Sequence, residues 1–308
     1  MNSAKYLTAF AVGLSSVTMP SAAFAADKPP VVLKPEGGWL LDMGENKCRI
    51  TRAFGSGDQK SVFYLEQWKP SSRVFFALAG PPVAKFRHDW VAQYSFGPGG
   101  DAREFNFSDM TLDVFGKLVG TPSTIVAGQD AAADKSVRKE NARPSGPRGL
   151  PALDANGAGA ITSLKISQSG RNDVVLELGN LKSVLGAMNV CMEDLVEHWG
   201  FDPAEQRTVV SPPEVTNLST VARLVMEDYP ARAQNSGAQA NFQLRLTIAA
   251  DGKVENCALV NQTAAEKFDM EHGPCAIFLR TAKAKPALDA AGKAIRSFYV
   301  NTIAYRMR

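Results

Sequence analysis

Between Asn241 and Ala249 every second residue is apolar: Phe242, Leu244, Leu246 and Ile248. A period of two puts these side chains on one face and predicts a half-buried β-strand. Asp251-Gly252 follows, the strongest short hairpin signal in the chain, and Lys253 to Val260 supplies the return strand. A helix is expected within residues 264–284, with Gly273-Pro274 interrupting it or opening its main part. Ser297 to Met307 (SFYVNTIAYRM) reads as a final strand. Ahead of the hairpin, Tyr229-Pro230 leads into Ala231 to Gly237 (ARAQNSG), a short helix stopped by its glycine. This order predicts a helix packed on a three-stranded antiparallel sheet, an α+β layer architecture.

The first residues set the compartment. Lys5 is a short positive head and Tyr6 to Met19 a mostly apolar run. Pro20 and Ser21 break it, and Ala23-Phe24-Ala25 fits a small-x-small cleavage site. Gly13, Ser15, Ser16 and Thr18 dilute the run below the roughly 20 apolar residues of a bilayer span. A cleaved signal peptide over residues 1–25 and a periplasmic location are expected. Loss of Lys5 takes the net charge from +3 to +2. That excludes no partner by itself, but nucleic acid asks for a clustered basic patch, and none is expected to bind. With 45% apolar residues the chain can fill two ordinary cores. In an oxidising compartment the four cysteines, Cys48, Cys191, Cys257 and Cys275, read as disulfides. Three pairings are open. Cys48 with Cys191 and Cys257 with Cys275 is favoured, because each bridge then closes within one domain.

The remainder of the N-terminal half reads as a β-rich domain with one packed helix. Trp39 to about Leu118 holds short apolar runs such as SVFYLEQW (Ser61 to Trp68) and SRVFFALA (Ser72 to Ala79), separated by Gly, Pro and charged turns. Residues 127–159 are polar and rich in Ala, Gly and Pro, and are expected to be a mobile surface excursion. Two strand-like runs follow, Ile161 to Ser167 and Asp173 to Leu178. Then Leu181, Val184, Leu185, Met188, Cys191, Leu195 and Trp199 recur at helical spacing, with Asn180 as cap and Gly200 as stop. The expected organisation is a signal peptide (1–25), a β-rich domain (26–205), a connector (206–222) and a small C-terminal domain (223–308).

The C-terminal pieces resemble the C-terminal domain of TonB. The resemblance rests on Tyr229-Pro230-Ala231-Arg232-Ala233-Gln234, on Gly237, on the strand Phe242 to Ile248 and on the hairpin Asp251 to Asn256. Lys283-Ala284-Lys285-Pro286-Ala287 and the closing run Tyr299 to Tyr305 complete it. Cys257 and Cys275 resemble the cysteine pair of a TonB-like subgroup. The layout of the N-terminal half, with Trp39, Cys48-Arg49, Arg52 to Gly55 and Gly200 to Pro203, resembles exported TonB-like proteins of alphaproteobacterial type. The family implies a protein-interaction module that pairs a strand edge with a segment of an outer-membrane transporter or another envelope protein, by β-augmentation. It implies partner-binding roles for Tyr229, Pro230, Tyr299, Asn301, Ile303 and Tyr305. The expected loss of an inner-membrane anchor favours binding over energy transduction. A homodimer through the same strand is the alternative partner.

Enzyme signatures are weak. Gly55 to Ser61 (GSGDQKS) has the flavour of a phosphate loop but lacks the glycine before its lysine, and it reads as a turn. His88, His198 and His272 are scattered, and no cofactor or metal site is expected. An envelope hydrolase with a dispersed set around His88 is the enzymatic alternative. Trp39, Trp68, Trp90, Trp199, Phe75 and Phe76 are expected in core packing rather than in a ligand groove. Arg280, Lys283 and Lys285 are expected on a solvated face.

Overall fold

A computed structural model describes residues 28–97, 100–123, 125, 148–235, 240–262 and 273–305. The expected signal peptide, His272 and residues 127–147 of the expected excursion lie outside them. The fold is α+β. No helix among the described residues is long and apolar enough to cross a membrane.

The first half is a stack of two sheets. It begins with β1 (Val31–Leu33), β2 (Pro35–Gly44), β3 (Lys47–Phe54), β4 (Ser61–Gln67) and β5 (Val74–Ala79). It continues with β6 (Ala92–Phe96), β7 (Arg103–Phe105), β8 (Met110–Leu112), β9 (Gly116–Ser123), β10 (Ser163–Gln168) and β11 (Val174–Glu177). One sheet has the order β2-β3-β4-β5-β9-β8 and the other β1-β11-β10-β6-β7. Aromatic rings join them. Phe76 on β5 meets Tyr94, Phe96 and Phe105 of the second sheet at centroid distances of 5.0, 5.5 and 6.2 Å. β4 lies inside its sheet and is buried along its length, which explains its nearly continuous apolar run. The phosphate-loop-like segment is a turn: Gly57–Gln59 makes one turn of 3-10 helix between β3 and β4.

The expected excursion is shorter than its composition suggests. Leu150, Leu153 and Ala158 are buried, so residues 148–159 belong to the packed structure. Polar and Gly-rich composition hid three apolar anchors spaced too irregularly to register as an element.

α1 (Lys182–His198) buries Val184, Leu185, Met188, Cys191, Met192 and Leu195, the stripe its spacing requires. The side-chain oxygen of Asn180 accepts from the Lys182 amide at 2.8 Å. The helix lies across β3, to which the Cys48–Cys191 disulfide ties it. It ends in a Schellman motif. Gly200 has φ +82°, its N–H donates to the Glu197 carbonyl, and the Phe201 N–H donates to Val196. Phe201 then packs against Val196, the apolar contact this motif favours.

The segment expected as a connector is built. It forms α2 (Pro203–Arg207), β12 (Val209–Ser211), β13 (Glu214–Val215) and the start of α3 (Leu218–Glu227). Asp202 caps α2 by accepting from the Ala204 amide at 2.8 Å. After α4 (Ala231–Asn235) come β14 (Ala240–Ile248), β15 (Val254–Gln262) and α5 (Pro274–Thr281). The chain closes with β16 (Ala284–Lys285), β17 (Ala287–Asp289), β18 (Ala294–Ile295) and β19 (Ser297–Tyr305). β12 pairs with β17, and β13 with β16, so the connector is knitted into the C-terminal half by short antiparallel ladders. Two-residue and three-residue strands carry too little periodicity to be read from sequence.

β15, β14 and β19 form the expected three-stranded antiparallel sheet, with β14 in the middle. The hairpin turns through Ala249–Gly252 with Gly252 at φ +87°, and the Asp251 carboxylate accepts from the Lys253 amide. A Cβ at Gly252 would stand 2.6 Å from the Ala284 carbonyl oxygen, so glycine is required there for space as well as conformation. Phe242, Leu244, Leu246 and Ile248 face Val221 and Val225 of α3 and Ile277 and Phe278 of α5 in one buried cluster. Cys257–Cys275 fastens α5 to β15. The Asn217 side chain bridges α3 to the end of α5, donating to Thr281 and accepting from Lys283.

Candidate strand-docking edge

β19 reaches the rim of its sheet because β14 takes the centre. Each of its residues from Ser297 to Tyr305 is in register with β14, from Ile248 back to Ala240. No other described strand pairs with its far side. In an antiparallel pair, alternate residues turn their N–H and C=O away from the partner, so this rim carries unpaired backbone donors and acceptors.

The side chains of β19 are committed elsewhere. Tyr299, Asn301 and Ile303 lie opposite Leu246, Leu244 and Phe242 and are buried on the helix-facing side. Burial, reinforced by Glu214, pushes the Tyr299 hydroxyl up to about 12. Tyr229 is half-buried against the same cluster. Pro230 is half-buried and starts α4, its carbonyl accepting from Gln234. Five of the six residues expected to bind a partner are thus gathered at one core or beside it, and Thr302 is the exposed side chain on the strand between them. The Tyr305 side chain lies outside the described residues.

The opposite face is covered by the first half of the chain. Phe298 and Val300 pack with Leu150, Val196 and Phe201, and Trp199 leans on this group. The Phe298 ring lies 5.5 Å from Trp199 and 5.3 Å from Phe201. On the neighbouring strand Arg245 stacks 3.8 Å from the Trp199 ring and donates to Asn46 at 3.0 Å. Burial pulls its guanidinium down to about 10, with Glu45 opposing, so it stays charged at neutral pH. Arg296 donates to the Gly200 carbonyl and to Glu255. The buried Gln206 donates to the Arg296 carbonyl at 2.8 Å and accepts from the Ser297 hydroxyl at 2.6 Å. Gln206 thereby closes the rim at its beginning and leaves it open further along.

Sequence reasoning missed this seam. Trp199 is expected only on the helix stripe and in core packing, and the sequence reading gives Phe201 and Arg245 no part in a contact between the halves. The available signal was the polar face of β14. It carries Gln243, Arg245 and Thr247, yet faces Phe298 and Val300 on the next strand, a mixed pattern that suits a covered surface better than an open one.

Other candidates are dispersed. His88 Nδ1 lies 3.9 Å from Asp109, whose carboxylate Lys117 holds at 3.0 Å and shifts downward. All four cysteines are in disulfides, so none is a nucleophile. Among the described residues no three His, Cys, Asp or Glu side chains gather as a metal site. Phe76 is in the core, Trp39 packs on it, Trp68 stacks on Phe75, and Trp90 is exposed. Arg280, Lys283 and Lys285 are exposed, and Lys285 faces Glu214 at 3.6 Å.

Comparison with curated proteins and with solved structures found no match. A family model, Gram-negative bacterial TonB protein C-terminal, matches residues 226–307. The family is a non-enzymatic interaction domain of the cell envelope. The matched span takes in α4, the β14–β15 hairpin, α5 and β19, and it supports the resemblance of this C-terminal part of the chain to the TonB C-terminal domain.

Proposed function

We propose that the chain is a periplasmic strand-binding protein, and that an outer-membrane transporter or another envelope protein adds a strand along the open rim of β19. The observation that carries the reading is the position of β19 at the edge of its sheet, with a register nine residues long and no second neighbour among the described strands. Its buried side chains leave the backbone as the recognition element, so affinity comes from ladder hydrogen bonds and sequence preference is modest. The family match supports the interaction role in general terms. The first half, residues 26–205, acts as a companion domain that holds the sheet from behind.

The test is to titrate the isotopically labelled protein with a peptide from the periplasmic end of a transporter. Shifts and slowed amide exchange are expected in residues 297–305 and around Tyr229. Thr302→Pro, which removes a backbone donor from the rim, lowers affinity about tenfold. Perturbation that leaves β19 untouched overturns the proposal. So does self-association in sedimentation that the peptide cannot displace, which would assign the rim to a homodimer.

A further inference from the structure

The first half has an open edge of its own. β2 ends the six-stranded sheet, pairing only with β3, and it is ten residues long. The other edge strands of the two large sheets, β8, β1 and β7, have three residues each. Proteins blunt long edges with lysine, proline or a bulge. β2 has a break of register between Glu36 and Leu40, where Gly37 takes φ +75° and Arg52 donates to its carbonyl. Beyond that break, Leu40 to Gly44 carries none of these devices. Its apolar side chains are open to solvent: Leu40 is 71% exposed, Met43 54% and Leu41 44%.

The faces of this stretch differ. Leu41 and Met43 lie opposite the buried Ile50 and Cys48, on the core side of the sheet, yet protrude past its margin. Leu40 and Asp42 lie on the other face, opposite Thr51 and Arg49. Arg49 and Lys47, the basic side chains nearest to Asp42 on β3, are both engaged by the buried Glu66. Asp42 has no ion-pair partner among the described residues, and β2 contains no basic residue. The edge therefore combines an unpaired backbone, three exposed apolar side chains and one uncompensated carboxylate.

We propose that Leu40–Gly44 is a second strand-docking site, for an extended segment of another protein that alternates apolar residues with lysine or arginine. The apolar residues pair with Leu41 and Met43 on one face, and the basic residues fall on the face of Leu40 and Asp42, where one of them meets the Asp42 carboxylate. A second copy of this chain fits less well, because it brings another unpaired Asp42 to the same face. Five residues of strand contact also fall far short of the about 800 Å² per partner of a stable dimer, whereas a peptide needs no more than an edge.

The test uses the purified protein and two short capped peptides, one alternating valine with lysine and one alternating valine with glutamate. The lysine peptide is expected to bind about tenfold more tightly at low ionic strength and to slow amide exchange in residues 40–44. Asp42→Lys should reverse the preference. Leu41→Thr with Met43→Thr, all surface changes that leave the core intact, should lower affinity for the lysine peptide about tenfold. Equal binding of the two peptides overturns the proposal, as does protection confined to β19. A dimer that Leu41→Thr with Met43→Thr dissolves also overturns it, by giving the edge to a second copy.

Discussion

Each half of the molecule has sheets to cover, and each does so differently. In the first half the two sheets cover one another through Phe76, Tyr94, Phe96 and Phe105, and α1 closes the stack. The C-terminal sheet has only three strands. Helices α3 and α5 cover one face, and the other is covered by Leu150, Val196 and Phe201 from the first half. The first core is complete in itself and the second borrows part of its cover. Two consequences follow. Most described side chains of β14 and β19 are packed on one face or the other, which leaves the backbone along the rims of the sheet open. Stability should also run one way: damage to the first half reaches the second, and the reverse is weaker.

The largest effect expected from this asymmetry is at the disulfides. Cys48→Ala with Cys191→Ala opens a closure over a sequence separation of 143, about 5 kcal/mol of chain entropy. It also frees α1, whose end presents Trp199 and Phe201. Cys257→Ala with Cys275→Ala opens a separation of 18, about 3 kcal/mol. All four tryptophans lie in the first half, so their fluorescence follows that half in denaturant, while regional hydrogen exchange follows the second. The first variant should lower both transitions and the second only the C-terminal one. Equal damage to both halves from the second variant would end the asymmetry.

Next is Phe298→Ala. The ring is buried between Trp199 and Phe201, and its loss leaves a cavity at the seam worth about 4 kcal/mol. Calorimetry should show the C-terminal half melting earlier while the first half keeps its midpoint. A single shifted transition would mean that the halves are one cooperative unit.

What the sequence disclosed follows the same division. The hairpin, its alternating strand and the α1 stripe were legible because their periodicity and punctuation are local. The favoured cysteine pairing is the one present. The edge strand β19 was legible as a strand. What was not legible is that both its faces are occupied, since Phe298 and Val300 look alike whether they meet solvent or Trp199. The connector was misjudged because β12, β13 and β17 are held by partners more than sixty residues away. The β2 edge escaped for the opposite reason: of its apolar run only Trp39 is singled out, as core, and it is the place of Leu40, Leu41 and Met43 at the margin of the sheet that exposes them.

Alkaline titration sharpens the comparison at a smaller scale. Tyr299 in the second half and Tyr64 in the first are each pushed up to about 12, mainly by burial, with Glu214 and Glu66 adding to it and Arg49 opposing at Tyr64. In the unfolded chain both ionise near 10. The folded form therefore holds its protons longer, and the associated stability is complete below pH 10 and lost as pH rises through 12. For Tyr299 this is on the order of 2 kcal/mol. Tyr299→Phe should flatten the alkaline fall of the C-terminal transition and leave that of the first half. Tyr64→Phe should do the reverse.

The smallest effect tests how the borrowed cover is delivered. Gly200 holds φ +82°, a conformation that costs an L-residue about 1 kcal/mol. No atom stands within 4 Å of where its Cβ would be, so Gly200→Ala carries a conformational cost and no clash. Gly200→Asn should recover part of the loss, because asparagine tolerates the left-handed region. The Gly200 carbonyl also accepts from Arg296, and its neighbours Trp199 and Phe201 sandwich Phe298. If the helix stop aims those groups, Gly200→Ala should raise amide exchange in β19 as well as at the end of α1. If exchange rises only at the helix end, packing alone places the two rings, and the C-terminal sheet depends on their bulk rather than on the turn that presents them.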